Sequence, residues 1–165
     1  MEISIREANL EDVPSIAEIH VTSWQATYRG LIPEEYILSQ TLERRTKLWT
    51  NVIADKLADL LMAEYDGDLA GFISWNKPEL KATADITSLY LFPHHISKGI
   101  GSRLLAECEA RLIQLHVSKA TLWVLDSNVQ ALNFYQKHQF VQTGKQGKNR
   151  INGLLLNDLE LEKSL

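Results

Sequence analysis

Leu89-Tyr90-Leu91-Phe92-Pro93-His94-His95-Ile96-Ser97-Lys98-Gly99-Ile100-Gly101-Ser102 is the stretch whose reading organises the rest of the chain. It closes an alternating run, Ala84 to Leu91, that predicts a strand. Pro93 to Gly101 reads as a loop, and Gly101 to Leu115 as a helix. The first N–H groups of a helix lack intrahelical partners, and the helix dipole adds positive charge there. Such a terminus suits an anion, and glycines let the backbone approach a pyrophosphate closely. Ile96, Ser97, Lys98, Gly99, Ile100, Gly101 and Ser102 therefore form a candidate phosphate loop. No Gly-x-x-x-x-Gly-Lys-Ser/Thr run is present, which excludes a Walker-type loop. No Gly-x-Gly-x-x-Gly follows a first strand, which excludes a dinucleotide fingerprint. Taken alone, Gly99 and Gly101 equally suit a tight turn with close helix–sheet packing.

Working outward, Leu104, Leu105, Cys108, Leu112 and Leu115 fall on one face of the helix after the loop. Upstream, Leu60 to Tyr65 and Leu69 to Trp75 flank Asp66-Gly67, a strong hairpin signal. The N-terminus alternates through Ile3 and Ile5 as a first strand. Asn9 then reads as a helix cap, with Leu10, Val13, Ile16, Ala17 and Trp24 at helical spacing up to about Tyr28. A second helical stretch, Pro33 to Leu57, is expected to break near Ser39. Downstream, Ala120 to Leu125 predicts a strand, Val129 to Lys137 a short helix, and Phe140 to Gln142 the start of another strand. Gly144, Gly147, Asn149 and Gly153 are read as bounding a polar turn before a last strand, Leu154 to Leu161. The expected fold is a mixed α/β (α+β) domain with a mostly antiparallel central sheet flanked by helices, one domain over residues 1–165.

The second motif follows the Ala120 to Leu125 strand: Asn128-x-x-Ala131-x-x-Phe134-Tyr135, then Lys137, His138, Gln139 and Phe140. Asn128 is placed to cap a helix or to hydrogen-bond a ligand amide, and Ala131 and Tyr135 share a helix face. By themselves Phe134 and Tyr135 also read as core aromatics. Strand, phosphate-type loop, helix, strand and then this motif resembles the GNAT superfamily of N-acetyltransferases. The resemblance extends to Asn9-Leu10-Glu11-Asp12, to Trp24-x-x-x-Tyr28-x-Gly30-x-x-Pro33, and to the ending Leu159-Glu160-Leu161-Glu162-Lys163.

The resemblance implies acetyl-CoA as acyl-donor cosubstrate. Leu89, Tyr90 and Leu91 match the strand whose backbone pairs with the pantetheine arm, and Ile96 to Ser102 match the pyrophosphate loop. Asn128 and Tyr135 match the thioester end, and Phe134 and Lys137 match positions beside the nucleotide. The sequence departs from the family pattern at Ile96, where a Gln or Arg is usual, at Ser97, and at Gln139, where glycine is usual. A left-handed backbone at Gln139 is expected to cost about 1 kcal/mol.

The implied reaction is acetyl transfer to a primary amine of a small molecule or peptide by direct attack. An alkylammonium acceptor holds its proton about three pH units above neutrality, so the site must help remove it. Tyr135 is the expected general acid for the leaving thiolate, and Asp85 the expected acid side chain that orients or deprotonates the amine. Asp85 equally suits a surface carboxylate at a strand end. Trp24, Tyr28 and Tyr36 are the candidate acceptor wall, since aromatic faces suit a cation, and Trp24 also suits a core anchor of the first helix. His94 and His95 read as surface loop histidines, and Cys108 as a core residue rather than a nucleophile. Polyamine, amino acid, aminoglycoside-like drug, peptide N-terminus and protein lysine all fit as acceptor. A non-catalytic acyl-CoA-binding sensor is the competing reading, favoured by the Ile96 departure and disfavoured by Tyr135 and Asn128.

Composition narrows the remaining classes. The 165 residues carry a net charge of −4, which points to neither nucleic acid nor an anionic membrane. One cysteine forbids an intrachain disulfide and suits a reducing cytoplasm. One Cys and five scattered His offer no metal-binding spacing. No signal peptide or membrane-length apolar run is present. A homodimer is a family-based expectation.

Overall fold

Alternation of apolar side chains sets the sheet. In Ala58–Tyr65, Leu61 and Ala63 face one core cluster while Leu60 and Met62 face another, so both faces of the strand are buried. A computed structural model describes residues 1–76, 78 and 82–165. Its strands are β1 (Ile3–Glu7), β2 (Ala58–Tyr65), β3 (Asp68–Asn76), β4 (Thr83–Leu91), β5 (Lys119–Leu125), β6 (Val141–Ile151) and β7 (Leu154–Ser164). Its helices are α1 (Val13–Tyr28), α2 (Glu34–Ser39), α3 (Leu42–Ala54), α4 (Ile100–Gln114) and α5 (Val129–Lys137).

The sheet order is β1-β2-β3-β4-β5-β7-β6, and every pairing is antiparallel except β4 with β5. This is the mixed, mostly antiparallel sheet expected from the sequence. Leu104, Leu105, Cys108 and Leu112 of α4 seal one face. Val13, Ile16 and Ile19 of α1 and Trp49 of α3 seal the other.

Several local expectations hold. Asp66 and Gly67 take φ of 53° and 91°, the paired positive values of a two-residue hairpin turn. The second helical stretch breaks after Ser39, and Thr41 caps α3 by accepting from the Arg44 N–H. Gln139 is left-handed, with φ of 71°.

Others are corrected. Asn9 caps a 3-10 turn, Leu10–Asp12, and α1 starts only at Val13, with Pro14 in its first turn. Asp12 closes the capping box and accepts both terminal nitrogens of Arg6, so Leu10 is left exposed outside the core. Leu115 falls beyond the end of α4 and is 57% exposed. The polar segment after Gln142 is not a turn but a strand. β6 continues to Ile151, with a bulge between Gln142 and Gln146, and turns at Asn152-Gly153 with φ of 48° and 83°. An edge strand pairs through its backbone while its side chains stay in water, so polar residues do not interrupt it.

Candidate active site

The cleft begins where β4 and β5 stop pairing. Their parallel ladder holds only Thr83–Asp85 against Lys119–Thr121. Beyond it β4 carries a bulge: Ser74 faces Ser88 and Trp75 faces Ile86, leaving Thr87 as the extra residue. The Thr87 hydroxyl is tied to the Ser74 hydroxyl at 2.8 Å. Past this point the two strands no longer share hydrogen bonds, and α5 supplies the side chains of the opening. Tyr28, Leu89, Tyr90, Asn128, Ala131 and Tyr135 line the deep part of the cleft, on which a cavity of ≈ 170 Å³ opens.

Local sequence explains how these groups are held. Asn128 sits at the N-cap of α5, with its side-chain oxygen accepting from the Ala131 N–H at 3.2 Å. Its amide lies against the Tyr28 hydroxyl. Tyr135 projects one turn later, its ring edge-on to Phe134 and Phe140. Its hydroxyl forms no hydrogen bond within the described residues, and burial pushes its pKa up, with Tyr90 and Tyr28 adding to the shift. A phenol so placed stays protonated at neutral pH and has its O–H free to donate. Burial likewise raises Tyr28.

The candidate phosphate loop is built from backbone. Ser97 and Gly99 both take left-handed φ, 66° and 80°, just before the first N–H groups of α4. Alternation of this kind makes an anion-binding concavity. A Cβ added at Gly99 would meet nothing within 4 Å, so the loop surface there is open. Gly101 is buried, and a Cβ there would sit 3.5 Å from the Phe134 ring. Open N–H groups, an apolar channel along Leu89 and Leu91, and Phe134 beside them fit a pantetheine-pyrophosphate ligand. Ile96 lines the channel and is 41% exposed. Ile100 turns its side chain into the core and leaves only its backbone for the loop. The Ser102 hydroxyl is 2.9 Å from His138 Nε2.

The side chains of two expected residues lie outside this cleft. Lys98 Nζ turns away, 3.5 Å from His95 Nδ1 and over the Tyr65 ring at 4.9 Å. Lys137 is exposed in the last turn of α5 and is not among the cleft residues. His95 is 6% exposed, packed on Tyr65, and so is not the surface histidine its loop suggested. His94 is exposed and stacks on Phe92.

On the opposite face of β4, Trp24, Tyr28 and Tyr36 do come together, with ring centroids 4.7 and 6.4 Å from Trp24. Trp24 is half-buried and its indole N–H donates to the Tyr90 hydroxyl at 3.1 Å. Behind it stand two residues that the sequence did not single out. His20 stacks on Tyr90 and accepts the Trp49 indole N–H on Nδ1 at 3.0 Å, and burial drops its pKa to about 3. Arg45 lies over Trp24. Neither belongs to a short motif, and only the packing of α3 on α1 brings them to the wall.

Asp85 occupies the last paired position before the strands part and accepts from the Thr121 hydroxyl at 2.9 Å. Burial raises its pKa, and the nearby Glu160 raises it further. Cys108 is buried under α4, and burial pushes its thiol well above the range of a reactive thiolate. A larger groove of ≈ 970 Å³ runs between β1 and the C-terminal ends of α3 and α4, but its Arg111 is already paired with Glu7.

A model of the acetyltransferase (GNAT) family matches residues 15–140. This chain belongs to the GNAT acetyltransferase family. Spermidine N(1)-acetyltransferase of Thermoplasma acidophilum is 34% identical over 148 residues, covering 85% of this chain and 89% of that protein. The uncharacterized N-acetyltransferase YuaI of Bacillus subtilis is 29% identical over 140 residues, covering 82% of this chain and 79% of that protein. The solved PaiA N-acetyltransferase of T. acidophilum, in complex with coenzyme A, superposes with a TM-score of 0.82 at 28% identity and covers all of both chains. This GNAT chain is accordingly an acetyl-CoA-dependent N-acetyltransferase, and the catalytic reading prevails over the sensor reading. Among the described residues, no helix is long and apolar enough to cross a membrane.

Proposed function

We propose that one N-acetyltransferase domain, residues 1–165, acetylates a small primary amine by direct attack at the parting of β4 and β5. The observation that carries this reading is that Tyr135, whose hydroxyl has no hydrogen-bond partner among the described residues, lines the same opening as Asn128 and Leu89. Leu89, Tyr90 and Leu91 offer backbone to the pantetheine arm. Ser97, Gly99, Ile100, Gly101 and Ser102 offer N–H groups to the pyrophosphate, with Ile96 and Phe134 as apolar flanks. Backbone replaces the side-chain donor that Ile96 lacks. The side-chain positions of Lys98 and Lys137 give them lesser roles at most, through backbone or long-range charge.

The amine nitrogen attacks the thioester carbonyl carbon; a C–N bond forms and the C–S bond breaks. A backbone N–H near Leu89 meets the charge developing on the carbonyl oxygen. Tyr135 donates its proton to the departing sulfur, and Asn128 orients the thioester end. The acceptor ammonium gives up one proton toward Asp85 before attack, directly or through water, and the second nitrogen proton, shed as the amide forms, reprotonates Tyr135 through water; burial of Asp85 raises its affinity for the first. Trp24, Tyr28 and Tyr36 form the acceptor wall. The spermidine relative makes a polyamine the first reference acceptor. A cytoplasmic location suits the single buried thiol, and a homodimer is the expected assembly, which sedimentation tests.

Thiol release from acetyl-CoA, measured with and without a panel of primary amines, tests the function. Amine-dependent release with a matching N-acetyl product is the expected result. Binding of acetyl-CoA without release for any amine would overturn the reading.

A further inference from the structure

Among the described residues, the acceptor wall contains one charge with no carboxylate partner. Arg45, in the first turns of α3, is half-buried, with its guanidinium carbon 4.9 Å from the centre of the Trp24 ring. Its Nε is buried and has no hydrogen-bond partner. No carboxylate pairs with it among the described residues. Instead it lies close to the hydroxyls of Tyr90 and Tyr36, and to neutral His20. Two other arginines show the usual arrangement: Arg6 holds both Asp12 and Glu64, and Arg111 holds both Glu7 and Glu107. Arg6 keeps this pairing even though its partner Asp12 is buried.

A guanidinium taken partly out of water without an anion is an unsatisfied charge, and its planar fork matches a carboxylate in two-point contact. The Trp24 ring covers one flat face of the guanidinium, and its two terminal nitrogens have no hydrogen-bond partner among the described residues. Trp24 and Tyr90 connect it to the cleft: Trp24 is bonded to Tyr90, which lines the opening beside Tyr135. The carboxylates of this face include Asp85 on β4 and Glu160 and Asp158 on β7, with Asp158 close to Tyr28. Asp85 is engaged by Thr121, and Glu160 by Thr143 with Lys145. The acceptor region therefore has a positive pole at α3 and a negative one at the sheet.

We infer that Arg45 is a specificity-determining residue that selects an acceptor carrying a carboxylate as well as the reacting amine, as in an amino acid, over a polyamine. This inference rests on the acceptor side assigned above. The carboxylate docks at Arg45 while the amine reaches the thioester beside Asp85. A polycation meets the same guanidinium with like charge.

The test compares matched acceptors in the thiol-release assay: a set of amino acids, the corresponding amino-acid amides, and spermidine. The wild-type protein should favour acids over their amides by about tenfold or more in kcat/KM. Arg45→Met keeps the bulk that packs on Trp24 and should erase that gap mainly by raising KM for the acids, with acetyl-CoA affinity nearly unchanged. Arg45→Lys should retain part of it. Equal use of acids and amides by the wild type, or a preference for spermidine, would overturn the inference, and neither outcome depends on a variant folding. A uniform loss across all acceptors in Arg45→Met, with Arg45→Lys no better, would also overturn it and leave a structural role. No amine-dependent release with any acceptor would instead overturn the proposed function itself.

Discussion

The two sides of β4 are made by different means. Toward α4 and α5 the site is mostly backbone: left-handed Ser97 and Gly99, the N–H groups opening α4, and a strand edge freed by the Thr87 bulge. Toward α1–α3 it is side chain: His20, Trp24, Tyr28, Tyr36, Arg45 and Trp49 interlock around Tyr90. Backbone geometry suits a donor whose long arm is bound wherever the fold occurs. Side-chain chemistry changes one residue at a time, which is why acceptor choice is proposed to reside on this side.

The largest effect should come from disturbing the backbone side. A Cβ at Gly71 would lie 2.1 Å from Leu91 Cδ2 and 2.7 Å from the Tyr90 carbonyl oxygen. Gly71→Ala must push β3 from β4 and should cost about 1–3 kcal/mol or more of stability, with weakened acetyl-CoA binding. Urea unfolding at an unchanged slope measures it. A wild-type midpoint would break the claim that tight β3–β4 contact sets the channel.

The side-chain half should respond to acid. The folded His20 pKa of about 3 lies below the ordinary 6.5 because the ring is buried. The unfolded chain therefore binds a proton below pH 6.5 that the native chain refuses. Stability from this residue is complete above pH 6.5 and is lost as the pH falls toward 3, at about 1.4 kcal/mol per pH unit. Unfolding followed from about pH 7 to about pH 5 should show a steeper loss in wild type than in His20→Gln. Parallel curves would contradict the burial argument.

The smallest effect is expected at Lys98. Its ammonium points to Tyr65 and His95 rather than toward the loop. Lys98→Ala should weaken acetyl-CoA binding by no more than about twofold, the scale of an exposed, screened charge. A tenfold loss in a binding titration would show that the loop relies on a side chain after all.

This division also explains what could be read from the chain. The phosphate loop, the Asp66-Gly67 hairpin, the break at Ser39 and the Asn128 cap are local, because a turn or a helix start writes its requirements into adjacent residues. The Asn152-Gly153 turn is equally local, yet the three earlier polar positions Gly144, Gly147 and Asn149 masked it. β6 lies at the sheet edge and needs no apolar alternation to pair. His95 looked like a loop residue because nothing near it in sequence reveals that Tyr65 covers it. Arg45 was not legible for the same reason: its meaning comes from Trp24, 21 positions away in sequence and on a different helix. Asp85 was legible as an acid at the start of its strand, whereas its bond to Thr121 and its place at the last paired rung required the sheet register.

The central claim is that Tyr135 protonates the leaving thiolate at the parting of β4 and β5. The most direct test is Tyr135→Phe, which removes one oxygen and keeps the ring packed on Phe134 and Phe140. Single-turnover thiol release should then fall by about a hundredfold or more, the scale of general acid catalysis, with acetyl-CoA affinity little changed. Release at the wild-type rate would contradict the account and move the acid elsewhere in the cleft.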